Sequence, residues 1–163
     1  MLHHVSVGVS DVARAAKFYD PVLKALGYKR VVEFLPHAIA YGKNEKHPAF
    51  WIQVPHDQKA PSAGNGTHVG FMAGSKEAVE AFHAEALKAG GSNNGEPGPR
   101  ADYGPEYYGA FIYDLDGNKI EATLHVLVAR VAKRAAMRER RAAKRAKMKK
   151  RKERRAKRAK KSA

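Results

Sequence analysis

The chain opens on an alternation in which Val5, Val7 and Val9 are apolar and His4, Ser6 and Gly8 stand between them. A period of two is that of a strand with one covered face. From Val12 the period lengthens: Val12, Ala15, Tyr19, Val22, Leu23 and Leu26 recur at helical spacing, with Asp11 placed as N-cap and Gly27 as terminator. Pro21 lies inside this pattern and predicts a kink or a break. Three apolar runs follow, about Tyr28 to Leu35, Ala38 to Gly42 and Phe50 to Val54, divided by Gly, Pro and Asn as strands are.

The same grammar is then written a second time. His4 to Gly27 aligns without a gap onto His68 to Gly91 at an offset of 64, with 7 of 24 positions identical, among them His4 with His68 and Phe18 with Phe82. Val69, Phe71 and Ala73 form the second strand's apolar face, Ser75 the cap, and Val79, Phe82, Ala86 and Leu87 the helix stripe. Strands are predicted at about Ser92 to Glu96, Tyr108 to Tyr113 and Lys119 to Leu124, with Asp116-Gly117-Asn118 as the last turn. The expected fold is α+β: two tandem βαβββ modules, about 1–56 and 66–126, joined by a connector over 55–66 and forming a curved mixed sheet around a concave site.

Charge divides the chain differently. The net +15 arises wholly from the end: residues 1–128 hold 12 Lys and Arg against 14 Asp and Glu, whereas residues 129–163 hold 19 against 2. A near-neutral domain over 1–128 with a basic, Lys/Arg/Ala-rich tail over 129–163 is therefore expected. The tail's composition favours helix while like charges at i and i+4 oppose it, so it is expected to be helical or disordered. Its charge suits a polyanion such as nucleic acid, through phosphates and without base readout, and in a eukaryote Lys149 to Arg155 would serve as a nuclear import signal. It has no hydrophobic face for a membrane. No apolar run approaches the ~20 residues that span a bilayer, and the N-terminus lacks a signal pattern, so a cytoplasmic location is expected. With no cysteine in the sequence, disulfide frameworks, thiolate zinc sites and thiol nucleophiles are excluded.

Strand parity turns the repeat into chemistry. If the valines face the helix, His4 faces the other way, and so do His68 in the second copy and Glu121 between Ile120 and Ala122. Aligning Ile52-Gln53-Val54 with Ile120-Glu121-Ala122 gives Gln53 the place of Glu121, with Trp51 on the same face. A lone strand histidine is ordinarily a surface or hydrogen-bonded residue. Two at equivalent places in a repeat, with a carboxylate, make the facial set used by divalent metals with open positions.

The strand His4-Val5-Ser6-Val7-Gly8-Val9-Ser10-Asp11, the segment Thr67-His68-Val69-Gly70-Phe71 and, most specifically, Asp114-Leu115-Asp116-Gly117-Asn118-Lys119-Ile120-Glu121 resemble the vicinal oxygen chelate superfamily of glyoxalases, bleomycin and fosfomycin resistance proteins and extradiol dioxygenases. The resemblance covers residues 1 to about 126. It implies a metal held by His4, His68 and Glu121, with Gln53 at a fourth position where glyoxalase I usually carries a glutamate base. An amide does not serve as that base. The implied activity is that of a glyoxalase- or dioxygenase-like lyase or oxygenase. A divalent Fe, Mn, Ni, Co or Zn would bind two neighbouring oxygens of a small substrate, with Glu121 as the catalytic carboxylate. Trp51, Gln53, Arg100, Tyr103, Tyr107 and Phe111 are the candidate substrate contacts, Arg100 and Tyr103 on a lid over Glu96 to Tyr107. A homodimer is expected. Two other functions fit the same residues: metal-free binding of a small molecule, as in some resistance proteins, and nucleic-acid association through the tail.

Overall fold

A computed structural model of the chain describes residues 2–124 and, beyond them, Met137, Glu139, Arg140, Arg141, Lys144, Lys147 and Met148. The first module is β1 (Val5–Gly8), α1 (Val12–Lys24), β2 (Lys29–Phe34), β3 (Ala38–Gly42) and β4 (Phe50–Gln53). The second is β5 (His68–Met72), α2 (Lys76–Lys88), β6 (Ser92–Pro99), a 3-10 turn (Ala101–Tyr103), β7 (Tyr108–Tyr113) and β8 (Lys119–Leu124). Residues 1–126 form one unit and 127–163 another. In the second unit the described positions are helical, and the remaining expectations for the tail concern residues outside those described.

The repeat holds in detail. The two helices start and stop at the same offset of 64, and each is capped as predicted: Asp11 Oδ1 accepts from Arg14 N at 2.8 Å and Ser75 Oγ from Ala78 N at 3.2 Å. Pro21 does not break α1. The N–H it lacks would have bonded to the carbonyl of Lys17, on the exposed side of the helix where water can take that partner's place. On α2, Leu87 is 41% exposed, against expectation, and His83 is buried instead, within hydrogen-bonding distance of Asn93 Oδ1 at 3.0 Å. Positions 79, 82, 83 and 86 follow the i, i+3, i+4, i+7 stripe, which leaves 87 at its rim.

Each module closes its own four-stranded mixed sheet, in the orders β1-β4-β3-β2 and β5-β8-β7-β6. Phe50, Ile52, Ile39 and Tyr41 from the first sheet and Phe71, Ile112, Ile120 and Ala122 from the second join Phe18, Tyr19, Leu23, Val79 and Phe82 of the helices in one buried cluster. Phe50 and Phe71 meet across it with ring centroids 5.1 Å apart. Such side chains contribute about 1.5–3 kcal/mol each on burial, so the two modules share a single core. A consequence governs the site: the faces bearing His4 and His68 are turned away from that core.

The segment Asp114 to Asn118 fastens the modules to each other. Asp114 Oδ1 accepts from the backbone N–H of Asp116 and Asn118, and Asp114 Oδ2 from the buried Tyr19 hydroxyl at 2.7 Å. Asp116 Oδ1 accepts from Ser10 Oγ at 2.6 Å, and Asn118 Nδ2 donates to Gly8 O at 3.0 Å. Gly117 holds the turn at φ 85°. The predicted lid is corrected at its start, because Glu96 to Pro99 belong to β6, where Gly98 and Pro99 pair with β7. As the edge strand, β6 tolerates Pro97 and Pro99, and its register shifts fall around Gly95. Among the described residues no helix is long and apolar enough to cross a membrane.

Candidate functional site

The open face of the second sheet is built around Glu121. In the parallel β5·β8 ladder Gly70 lies opposite Glu121 and His68 opposite Lys119. A Cβ on Gly70 would sit 3.3 Å from Glu121 Oε2, so the glycine leaves room for the carboxylate to lie across β5. There Oε2 meets His68 Nε2 at 3.1 Å, the imidazole 45% exposed and the carboxylate only 10%. Tyr107 donates its hydroxyl to the other oxygen, Oε1, at 2.6 Å. It can fold back this far because residue 109 is glycine: a Cβ there would overlap the Tyr107 hydroxyl. Burial, and then the bond to Glu121, hold the Tyr107 hydroxyl well above the usual tyrosine range, so it remains a donor.

Glu121 thus has one oxygen held by a phenol and one turned to an imidazole. Ligands of a first-row divalent ion sit about 2.0–2.2 Å from it, and two of them at near right angles are then roughly 3 Å apart. The 3.1 Å between His68 Nε2 and Glu121 Oε2 matches that spacing, and neutral imidazole with carboxylate is a suitable donor set. The pair fits two adjacent positions on a divalent cation.

The first module's open face is chemically different. His4 lies beside Trp51, ring centroids 6.3 Å apart, and its Nδ1 is 2.8 Å from that of His3. Phe34 stacks on Trp51 at 6.2 Å and 8°. The β1·β4 ladder pairs Ser6 with Trp51 and Gly8 with Gln53. Ser6 corresponds to Gly70, whose partner is Glu121, so Trp51 and not Gln53 holds the place equivalent to Glu121. The sequence alignment had slipped by two residues, which preserves the face but changes the position.

Two further expectations are corrected within the chain. His4 does not join the His68–Glu121 pair within one chain, and among the described residues no group of three or more His, Asp or Glu is placed to hold a metal. Both outcomes follow from the shared core, which directs the two open faces apart. Of the remaining candidates, Phe111 lies opposite Glu121 in the β7·β8 ladder with its ring 6.2 Å from His68. Arg100 lies on the same face, its Nη2 beside the Phe111 ring at Gly95 and donating to Glu96 O at 2.8 Å. Tyr103 is 63% exposed, edge-on to Tyr107 at 4.9 Å. Lys119, Phe34 and Gly109 also belong to these faces. The parity that selected Glu121 also selects Lys119.

This architecture of two βαβββ modules, each presenting a histidine on its open face, places the chain in a known class. Residues 1–122 match the model of the Glyoxalase/Bleomycin resistance protein/Dioxygenase superfamily. The chain belongs to that superfamily. Among solved structures, a glyoxalase/bleomycin resistance protein from Albidiferax ferrireducens is 36% identical, with a TM-score of 0.68 over 77% of this chain and 98% of the other. Fold alone is shared with a glyoxalase-related enzyme from Fulvimarina pelagi, at 16% identity and TM-score 0.61 over 77% and 88% of the two chains. It is shared likewise with the fosfomycin resistance protein FosX from Listeria monocytogenes, at 16% and 0.56 over 78% and 94%. No curated protein matches the chain.

Proposed function

We propose that this protein is a divalent-metal-dependent enzyme acting on a small substrate that offers two neighbouring oxygens, with each site completed by two copies of the chain. One copy supplies His68 and Glu121, the other His4 and its neighbour Trp51. The observation that carries this reading is the 3.1 Å spacing of His68 Nε2 and Glu121 Oε2, with Tyr107 holding the other carboxylate oxygen. The repeat supports the second copy: His4 and His68 are equivalent, each on a face turned out of the shared core, so faces from two chains can meet where faces of one chain cannot.

An Fe, Mn, Ni, Co or Zn ion held by His68 and Glu121 would supply Lewis-acid polarisation of the substrate oxygens. The protein's own contribution is positional. Tyr107 keeps its proton and fixes Glu121, so Oε2 alone is directed at the cation. Phe111 on one face and the stacked Trp51 and Phe34 on the other form apolar walls that exclude water and orient a flat substrate. The reaction class is that of a glyoxalase- or dioxygenase-like lyase or oxygenase, in the cytoplasm.

The test is metal analysis of chelator-free protein followed by Mn2+ and Ni2+ titration. Bound ion in the wild type, lost in Glu121→Gln, supports the reading; a chain that takes up neither ion opposes it. One observation favours a second reading, metal-free binding of a small molecule: an indole stands where a fourth ligand would be. Ligand binding that survives replacement of both His4 and His68 would select it. The tail, with 19 basic residues against 2 acidic over 129–163, is read as a polyanion-binding segment whose affinity falls steeply with salt.

A further inference from the structure

We infer that the open face of the second sheet carries a subsite for an oxyanion, a carboxylate or phosphonate, with Lys119 as its principal charge and Arg100 as a second. This rests on the substrate site proposed above and adds to it the chemical class of the substrate: an anionic molecule rather than a neutral one.

The cross-strand register places Lys119 directly opposite His68, and strand parity places it on the same face as Glu121. Its Nζ lies over the Phe111 ring, 4.9 Å from the centroid, beside the imidazole that approaches the same ring at 6.2 Å. Among the described residues no carboxylate lies within ion-pair distance of Lys119, although Glu121 is two residues away and is engaged with Tyr107 and His68. An ammonium held over an aromatic ring in a site, with its charge uncompensated, is set to receive an anion. Space for one is present. A cavity of about 310 Å³ opens beside it, lined by the loop Ala63 to Thr67 together with His68, Tyr113, Gly117 and Lys119.

Arg100 adds to this beside Phe111. Its Nη2 and the ring's Cδ2 lie 3.2 and 3.1 Å from the point a Cβ of Gly95 would occupy, so the glycine is what allows the guanidinium against the ring. Its hydrogen bonds go to carbonyls, Glu96 O at 2.8 Å and Pro99 O at 3.1 Å, and among the described residues no carboxylate forms an ion pair with it. Two cations thus lie near one ring beside His68 and Glu121, whereas the first module's face presents an indole and a phenyl ring in the corresponding area. A substrate spanning both would have an apolar or flat portion and an acidic group.

The experiment uses the full chain without metal and methylphosphonate as the probe, read by the backbone amide resonances of Thr67, His68 and Lys119. We expect saturable shifts at these positions, weakened about ten- to hundredfold in Lys119→Met and restored in Lys119→Arg. Resonances of the basic tail move alike in all three proteins and serve as the internal control. Mn2+ binding, measured separately, separates this inference from the metal reading. If Mn2+ binds and Lys119→Met leaves the methylphosphonate affinity unchanged, or if the three amides do not respond, the subsite is wrong and the metal reading stands. If the shifts occur and depend on Lys119 while no divalent ion binds, the subsite stands and the metal reading falls.

Discussion

The two modules share a frame and differ in what they present on it. Helix limits and caps coincide at an offset of 64, with His4 just before β1 and His68 at the start of β5. On the last strand of each module the equivalent places are held by Trp51 in one copy and Glu121 in the other. The comparison teaches that the frame is conserved by the core, where every change is felt as a cavity or a clash. The open faces, free of that constraint, have become an aromatic half and a charged half. Among the described residues neither half gathers three His, Asp or Glu side chains.

Breaking the charged half has the largest effect. Glu121→Gln removes the anionic ligand while keeping a group for Tyr107 to bond, so Mn2+ affinity is expected to fall more than about a hundredfold with little change in melting temperature. Isothermal titration and thermal unfolding on one sample report both. Gly109→Ala attacks the same half through packing: the new methyl overlaps the Tyr107 hydroxyl, so we expect a loss of about 1–3 kcal/mol in urea unfolding together with the Tyr107–Glu121 bond. The unfolding cost is the check, since a neutral substitution would mean that Tyr107 does not occupy this space.

Trp51→Glu sharpens the comparison from the other side. It gives the first module the residue its counterpart has, and in a two-copy site it places a fourth ligand near the ion, raising divalent affinity by about tenfold. In a metal-free binding protein the same change leaves divalent binding absent and costs ligand stacking.

The smallest effect concerns the frame shared by both. Burial, and then Asp114, push the Tyr19 hydroxyl well above the usual tyrosine range. The unfolded chain therefore releases this proton first, near pH 10, and the folded chain only at higher pH. Its contribution is fully present below pH 10 and declines above it, by about 1.4 kcal/mol per pH unit. Tyr19→Phe should make stability less steep between pH 10 and 11, in urea unfolding at each pH.

Much of this frame is legible in the amino-acid sequence. The duplication, the helix caps, the strands and the faces of His4, His68 and Glu121 follow from period and parity, which are local properties. Three things were not local. The place of Trp51 depended on how many residues separate the first and last strands of each module, and that number differs between the copies, so similarity of Ile52-Gln53-Val54 to Ile120-Glu121-Ala122 misled. The role of Gly109 depended on a side chain folding back across its own strand. The separation of His4 from His68 depended on which faces bury each other, and alternation is silent on that. Asp114 to Asn118 is instructive in the opposite sense: its conspicuous pattern, read for chemistry, also serves to lock one module to the other.

The central claim is that a histidine from one copy joins a histidine and a carboxylate from another. Mixing a His4→Ala chain with a Glu121→Gln chain tests it, because each lacks what the other retains. After unfolding and refolding together in equal amounts, random pairing into two-fold dimers regenerates about a quarter of the wild-type sites. Mn2+ binding measured by titration should return to that level, although neither variant binds alone. If the mixture binds no more ion than its components, the site is not shared between copies and the account fails.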